Sequence, residues 1–193
     1  MIQANEDNTA WRRALRRELL ARRMALDKAL HQELSARIVT HLLAHFPPPR
    51  TLAFCWPIKQ EPDVRAIVET WRQAGTRTTL PVVVSEHAAL AFREWRPDTA
   101  LESDRYGIPT PAQGDWLIPD LILLPLNGFD AAGYRLGYGG GYFDRTLAAL
   151  SPRPLAVGVG FELNRVATIR PEGHDQPLDW IVTEAGVFKP VAA

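Results

Sequence analysis

The residues best suited to do chemistry cluster between positions 135 and 145, in Arg135-Leu-Gly137-Tyr-Gly-Gly-Gly141-Tyr-Phe-Asp144-Arg145. Four of the five residues from Gly137 to Gly141 are glycine, and glycine admits positive φ and lets backbone N–H groups approach a ligand closely. An apolar run, Leu121-Ile-Leu-Leu124, precedes the turn, and a helix from about Tyr142 to Leu150 is predicted after it. A strand leading into a glycine turn and then a helix offers free N–H groups and the positive end of a helix dipole, which favours an anion. Arg135 and Arg145 flank the turn with fixed positive charge. Phosphate is the natural candidate ligand.

A turn that merely reverses the chain is the plainer alternative, although so many glycines hemmed by two arginines and an aspartate exceed what a reversal needs. The pattern is not a Walker A loop, because no Gly-Lys-Ser/Thr closes it. Nor is it a Rossmann fingerprint, since the glycine spacing differs and the preceding strand lies late in the chain. Asp144, in the first turn of the predicted helix, has two readings. It stabilises the helix end by about 0.3–1 kcal/mol, or it holds Mg²⁺, which takes one or two carboxylates and completes its octahedron with phosphate oxygens and water. Asp179, just before the last predicted strand, is a second candidate carboxylate.

The elements that must position these residues follow from periodicity. Trp11, Leu15, Leu19 and Met24 recur at near-helical spacing over about Thr9 to Met24, with arginines between them, and which face is buried stays open. Asp27 is placed to cap a second helix, in which Leu30, Leu34, Ile38 and Leu42 form an i, i+4 stripe. Pro47-Pro-Pro49 ends it. Thr51 to Trp56 reads as a buried strand, followed by a loop with Glu61 and Asp63 and a helix from about Val64 to Ala74 closed by Gly75. Further strands are predicted at Thr78–Val84, Leu90–Trp95, Leu155–Phe161 and Trp180–Thr183. Arg96 to Pro119, rich in proline, reads as a long loop, and Pro125 to Gly141 as another. Strands alternating with helices predict an α/β fold, a three-layer α/β/α arrangement with a mostly parallel, Rossmann-like sheet. Ligands bind such sheets beyond the carboxyl ends of the strands. With no repeat and no linker, one domain over residues 1–193 is expected, with residues 1–9 flexible.

Composition narrows the partners. At 193 residues with 46% hydrophobic and 23% charged residues, the chain has an ordinary globular make-up and enough length for one sizeable core. Lys plus Arg equals Asp plus Glu at 22 each, which argues against binding nucleic acid by phosphate neutralisation. The single Cys55 lies in an apolar run and cannot form an internal disulfide, so an inert core thiol is expected. No stretch approaches the roughly 20 apolar residues of a membrane span, and the polar start lacks a signal-peptide core. A cytoplasmic protein is expected. His41-Leu-Leu-Ala-His45 has i, i+4 spacing but lacks the glutamate and third ligand of a zinc motif.

Taken together, Asp120-Leu-Ile-Leu-Leu-Pro125 and Phe129-Asp130-x-x-Gly133-Tyr-Arg-Leu-Gly-Tyr-Gly-Gly-Gly-Tyr-Phe-Asp-Arg145 resemble the signature of the 5-formyltetrahydrofolate cyclo-ligase (5,10-methenyltetrahydrofolate synthetase) family. The likeness extends to Arg12-Arg-x-Leu-Arg16, the Glu61 loop, Leu80-Pro81, Phe92-x-x-Trp95 and His174-Asp-x-x-x-Asp179. Three positions depart from common family residues: Arg12 and Gly140 stand where lysine occurs, and Phe143 where tyrosine is frequent.

The resemblance implies a ligase in which the γ-phosphoryl of ATP activates the formyl oxygen, N10 closes the ring, and ADP and phosphate leave. It implies ATP and Mg²⁺ as cofactors and small-molecule substrates, with no nucleic acid or membrane partner and a monomeric state. By matching positions, Arg12, Arg16, Arg135, Leu136, Gly137, Tyr138, Gly139, Gly140, Gly141, Tyr142 and Asp144 would bind nucleotide. Arg135 and Tyr142 would be catalytic, and Asp144 and Asp179 would hold the metal. Glu61 would anchor the pterin, with Tyr138, Tyr142 and Trp56 facing the folate and Phe92 or Trp116 as further stacking candidates. Two other readings remain: a folate-binding protein with little turnover, and a sugar-phosphate or coenzyme A enzyme on a similar sheet.

Overall fold

The computed structural model describes residues 2–191, the side chains of residues 2–6 excepted. The chain runs α1 (Ile2–Met24), α2 (Lys28–His45), β1 (Thr51–Ala53), α3 (Arg65–Gln73), β2 (Arg77–Val82), β3 (Ala91–Glu94), β4 (Leu101–Ser103) and β5 (Pro109–Pro111). It continues through β6 (Leu121–Pro125), β7 (Gly128–Phe129), β8 (Arg135–Leu136), α4 (Tyr142–Ala149), β9 (Leu155–Val159), β10 (Trp180–Thr183) and β11 (Gly186–Phe188). Seven strands make one sheet in the order β11-β10-β9-β6-β1-β2-β3. The inner five are parallel, and antiparallel β3 and β11 close the edges.

Alternation along the strands sorts side chains into two cores. On β6, Leu121 and Leu123 join α2 and α3, with Ile38, Leu42, Ile67 and Trp71. Ile122 and Leu124 join the opposite cluster with Leu147 of α4. Leu52 and Ala53 of β1 divide in the same way. Strands covered on both faces explain why β6 reads as a continuous apolar run. The result is the three-layer α/β/α architecture expected.

Local signals set the helix ends. Asp27 Oδ1 accepts the Leu30 amide at 2.9 Å and caps α2. Leu34, Ile38 and Leu42 form its buried stripe, whereas Leu30 is exposed. Gly75, at φ +98°, ends α3 in a Schellman arrangement: its amide bonds the Arg72 carbonyl and the Thr76 amide bonds the Trp71 carbonyl.

Several boundaries differ from expectation. The first strand stops at Ala53 rather than Trp56, so Cys55 and Trp56 lie in a loop. The long loop from Arg96 contains the β4–β5 hairpin, the loop before the glycine turn contains the β7–β8 hairpin, and β11 is a strand beyond those expected. Strands of two or three residues are too short to show a period. The chain is helical from Ile2 onward, and Met1 lies outside the described residues.

The largest difference concerns α1, which lies on neither face of the sheet. It crosses the loops beyond the strand ends, where Leu19 packs against Leu136 and Ile169. A Cβ on Gly128 would run into Leu19, so glycine is needed for this close approach. Arg12, Leu19 and Arg23 are buried and Arg16 half-buried, while Met24 of the expected apolar stripe is exposed. Positions 12, 16, 19 and 23 fall on one helical face. Among the described residues no helix is long and apolar enough to cross a membrane.

β1 and β6 are neighbours, paired at Leu52 and Leu121. From β1 the chain continues to β2 on one side, and from β6 to β9 on the other. That reversal opens a crevice beyond the carboxyl ends of β1 and β6.

Candidate active site

The loops leaving β1 and β6 meet at this crevice. The β1 loop supplies Glu61, and the chain beyond β6 supplies the β7–β8 hairpin and then the glycine turn. Asp130 orders the hairpin: its carboxylate accepts amides of Ala132, Tyr134 and Ile169. The turn needs its glycines at two points in particular. Gly139 and Gly141 adopt φ +97° and +63°, a region that strains other residues. Gly141 then caps α4, whose free amides and dipole face the turn.

A cavity at the crevice is lined by Cys55, Pro57, Glu61, Pro62, Val64, Leu123, Leu124, Pro125 and Val159. Its walls are apolar apart from one carboxylate. Glu61 is 3% exposed; its Oε1 accepts the Tyr138 hydroxyl at 2.7 Å and its Oε2 the Ile58 amide at 3.0 Å. Burial pushes its carboxyl above the usual range, offset in part by those two hydrogen bonds and by Arg23 and Lys59. Burial and the neighbouring Glu61 likewise push the Tyr138 phenol up. The Tyr138 ring edge remains open while its hydroxyl points inward. Cys55 is held as a thiol by burial, as expected for an inert sulfur.

The other half of the site is cationic. Arg16 Nε donates to the Gly137 carbonyl at 3.0 Å, and its guanidinium lies 3.7 Å from where a Cβ on Gly139 would sit. Its terminal nitrogens have no hydrogen-bond partner among the described residues. Burial, and then Arg12, hold its pKa down. Arg145 donates to the Gly140 and Ala88 carbonyls and lies over the Tyr142 ring.

Arg135 is buried beneath the turn and donates to Asp144 Oδ1 at 3.0 Å and to the Gln176 carbonyl at 2.7 Å. Asp144 Oδ1 also accepts the Gln176 amide at 3.0 Å, and no hydrogen bond engages its Oδ2 among the described residues. The Tyr142 hydroxyl meets that of Tyr106, at the tip of the β4–β5 hairpin, at 2.9 Å.

The structure therefore gathers Glu61, Tyr138, Arg16, Arg135, Leu136, Tyr142 and Asp144 around the turn and places other expected residues elsewhere. Arg12 points at Asp175, not at the turn, in a bidentate pair at 2.8 and 3.1 Å. Burial raises the Asp175 carboxyl, but Arg12 and the Glu172 amide outweigh it and leave the pKa lowered. Asp179 is not brought beside Asp144. Both its oxygens bond Arg153, and Oδ2 also takes the Ala156 amide, at the amino ends of β9 and β10. Three or more His, Cys, Asp or Glu side chains grouped to hold a metal do not occur among the described residues.

Trp56 packs edge-on to Trp95 and beneath Arg65, outside the cavity lining. Phe92 is core, and Trp116 is exposed beneath Arg93. His41 bonds the Glu184 carbonyl and His45 packs edge-on to Phe46 and Trp180. Sequence reasoning missed Arg23, Tyr106, Asp175 and Gln176. Of these, Asp175 and Gln176 fall within the family-like segment His174–Asp179, Gln176 at one of its unspecified positions; a buried arginine and a hairpin tip carry no local signal.

The model of the 5-formyltetrahydrofolate cyclo-ligase family matches residues 8–184. The chain is 31% identical over 178 residues to the 5-formyltetrahydrofolate cyclo-ligase of Escherichia coli (strain K12), covering 87% of this chain and 97% of the relative. It is 29% identical over 182 residues to the one from Haemophilus influenzae, covering 89% and 96%. A solved 5,10-methenyltetrahydrofolate synthetase from Mycoplasma pneumoniae superposes with TM-score 0.75 at 27% identity, covering 90% of this chain and 98% of that one. The Aquifex aeolicus 5,10-methenyltetrahydrofolate synthetase gives TM-score 0.81 at 27% identity, with 94% of each chain covered.

Proposed function

The chain belongs to the 5-formyltetrahydrofolate cyclo-ligase family, and on that footing we propose that it converts 5-formyltetrahydrofolate to 5,10-methenyltetrahydrofolate with ATP and Mg²⁺. One observation carries the two-substrate reading: the Tyr138 hydroxyl on Glu61 joins the glycine turn to a buried carboxylate in one crevice. A carboxylate in an apolar wall suits the amino and N–H groups of a pterin. The turn and the positive helix end suit phosphates.

The residues present fit the nucleotide and the metal. Arg16 has donors to spare toward the turn, and Arg145 lies on its other side. Asp144 keeps one oxygen free, and Arg135 and the Gln176 amide fix its orientation. A single protein carboxylate suffices for Mg²⁺, which keeps waters and phosphate oxygens as its other ligands. When bound, Mg²⁺ would offset the charge on the phosphates. Asp179, paired with Arg153, has no part in this reading.

The chain's own contribution is positioning and charge. Arg16, Arg145 and the turn amides would orient the triphosphate, and Glu61 would hold the pterin so that the formyl oxygen faces the γ-phosphorus. Phosphorylation makes that oxygen a leaving group; N10 attacks the formyl carbon and phosphate departs. Tyr142, held by Tyr106, would close the side of the site and exclude water. The reading takes the chain as one domain, supported by both cores lying on one sheet.

The test is an absorbance assay for the methenyl product with 5-formyltetrahydrofolate, Mg²⁺ and ATP. An ATP-dependent rise, abolished by a chelator, is expected. Tight folate binding without any rise would overturn the ligase reading in favour of a binding protein.

A further inference from the structure

Arg23 is the least exposed charged side chain among the described residues, at 0%. A guanidinium is unfavourable to bury unless its N–H groups are met. Its Nε donates to the Lys59 carbonyl at 3.0 Å, Nη1 to the Leu126 carbonyl at 3.1 Å and Nη2 to the Tyr138 hydroxyl at 2.8 Å. These acceptors belong to three segments: the Glu61 loop, the chain leaving β6, and the glycine turn. An apolar side chain would anchor α1 with less desolvation, so the charge calls for a separate account. The Tyr138 hydroxyl passes its own proton toward Glu61 Oε1 at 2.7 Å, and the Arg23 guanidinium lies 4.0 Å from that oxygen.

We propose that Arg23 is a positioning residue that couples the two halves of the active site: through the Tyr138 hydroxyl it ties the glycine turn to Glu61, so that filling either subsite tightens the other. This deepens the reading of the turn as a nucleotide site and of Glu61 as the folate anchor, and rests on it. Arg23 donates to Tyr138 and Tyr138 donates to Glu61, so each bond polarises the next. Tyr138 is 46% exposed, and Lys59 Nζ stands 4.8 Å from its ring centroid. The hydroxyl, rather than close packing of the ring, therefore holds this residue of the turn. A ligand that fixes the Glu61 carboxylate also fixes Tyr138 and the adjoining amides, and the linkage runs equally in reverse.

Charge supports the same role. The groups facing Glu61 are Arg23 from α1, Lys59 and Cys55 from its own loop and Tyr138 from the turn; His31 of α2 reaches only its backbone carbonyl. Arg23 and Lys59 favour the charged carboxylate against burial. Without Arg23 the Glu61 pKa rises further, and the acid limb of folate binding moves to higher pH.

The test measures 5-formyltetrahydrofolate affinity by calorimetry, with and without Mg²⁺ and a non-hydrolysable ATP analogue, in wild type, Tyr138→Phe, Arg23→Lys and Arg23→Met. The analogue should tighten folate binding about fivefold or more in wild type, the lower end of usual couplings. Tyr138→Phe should bring that factor near one, whatever it does to the affinity for each ligand alone. Arg23→Lys should keep part of it, and Arg23→Met should lose it and shift the acid limb upward in pH. Removing a buried charge can unfold a protein, so Tyr138→Phe, which retains the ring, is the deciding variant. Hydrogen exchange of the 137–141 amides in the unliganded protein should also quicken in that variant. An unchanged factor and unchanged exchange in Tyr138→Phe would overturn the proposal. Wild type binding both ligands without coupling would do so as well, leaving the functional reading intact; wild type binding no folate would overturn both.

Discussion

α1 and α2 follow one another in the chain, and each buries one stripe, yet the stripes are chemically opposite. α2 turns Leu34, Ile38 and Leu42 onto the sheet. α1 turns Arg12, Arg16, Leu19 and Arg23 onto loops beyond the strand ends. Apolar burial is non-directional and tolerates changes of shape. A buried guanidinium is directional: each here has particular acceptors, from Asp175 to the Gly137 carbonyl to the Tyr138 hydroxyl. Buried ion pairs are weak evidence for stability, because desolvation offsets much of the attraction. The comparison therefore separates a helix that holds the fold from a helix that sets the geometry of a site.

The widest gap between the two helices should appear in Leu42→Ala, at a side chain with 0% exposure. Loss of transfer energy plus a cavity should lower stability by about 2–5 kcal/mol. Denaturant melts would read that loss, while kcat and KM of the folded protein stay near wild type. Next in size is Arg16→Ala, half-buried against the turn. The KM for ATP should rise on the order of tenfold, about 1.4 kcal/mol, with stability lowered by only ~1 kcal/mol for one lost hydrogen bond. A variant with unchanged ATP dependence but a large stability loss would make α1 a core helix like α2 and dissolve the contrast.

How far each helix could be read from sequence follows the same division. The α2 stripe from Leu34 to Leu42, its Asp27 cap, the β6 run and the Gly75 stop rest on local patterns with one physical cause each, and the structure reproduces them. The glycine turn was equally legible, since Gly139 and Gly141 adopt the positive φ that such a turn requires. α1 was not: Trp11, Leu15, Leu19 and Met24 recur at near-helical spacing with arginines between them, and that pattern leaves the buried face open. Only acceptors far along the chain, such as the Leu126 carbonyl and Asp175, make an inward arginine stripe possible. The surroundings of Asp179 were illegible for the same reason, as its partner Arg153 lies across the β9–β10 pairing.

Glu61 tests the site from the side opposite α1. Its carboxyl lies above the usual range chiefly because burial disfavours the charged form. The native state thus holds this proton more tightly than the unfolded chain does. Its contribution to stability is present below the unfolded pKa and is lost as pH rises through the folded one. Above its folded-state pKa the ionised group weighs against folding, so Glu61→Gln, which cannot ionise, should melt a few degrees higher there. That advantage should fade toward acid pH, and the KM for folate should rise. A variant that melts lower at neutral pH would mean that Arg23 and Lys59 outweigh the burial.

The smallest expected effect marks where the site ends. Asp179→Asn removes one charge of a pair whose side chains are 34% and 36% exposed, so solvent screening limits the loss to about 0.2–1 kcal/mol. The amide oxygen of asparagine can still accept from Ala156, and the strand register should survive. Because the Asp179 oxygens face Arg153 at the amino ends of the strands, the Mg²⁺ dependence of turnover should match wild type. Asp144→Asn, titrated alongside, should need more Mg²⁺, since Asp144 keeps an oxygen free beside the turn. Equal increases in the two variants would extend the metal site along α4 to the far end of the sheet, and Arg153 would then be a switchable partner rather than a fixed one.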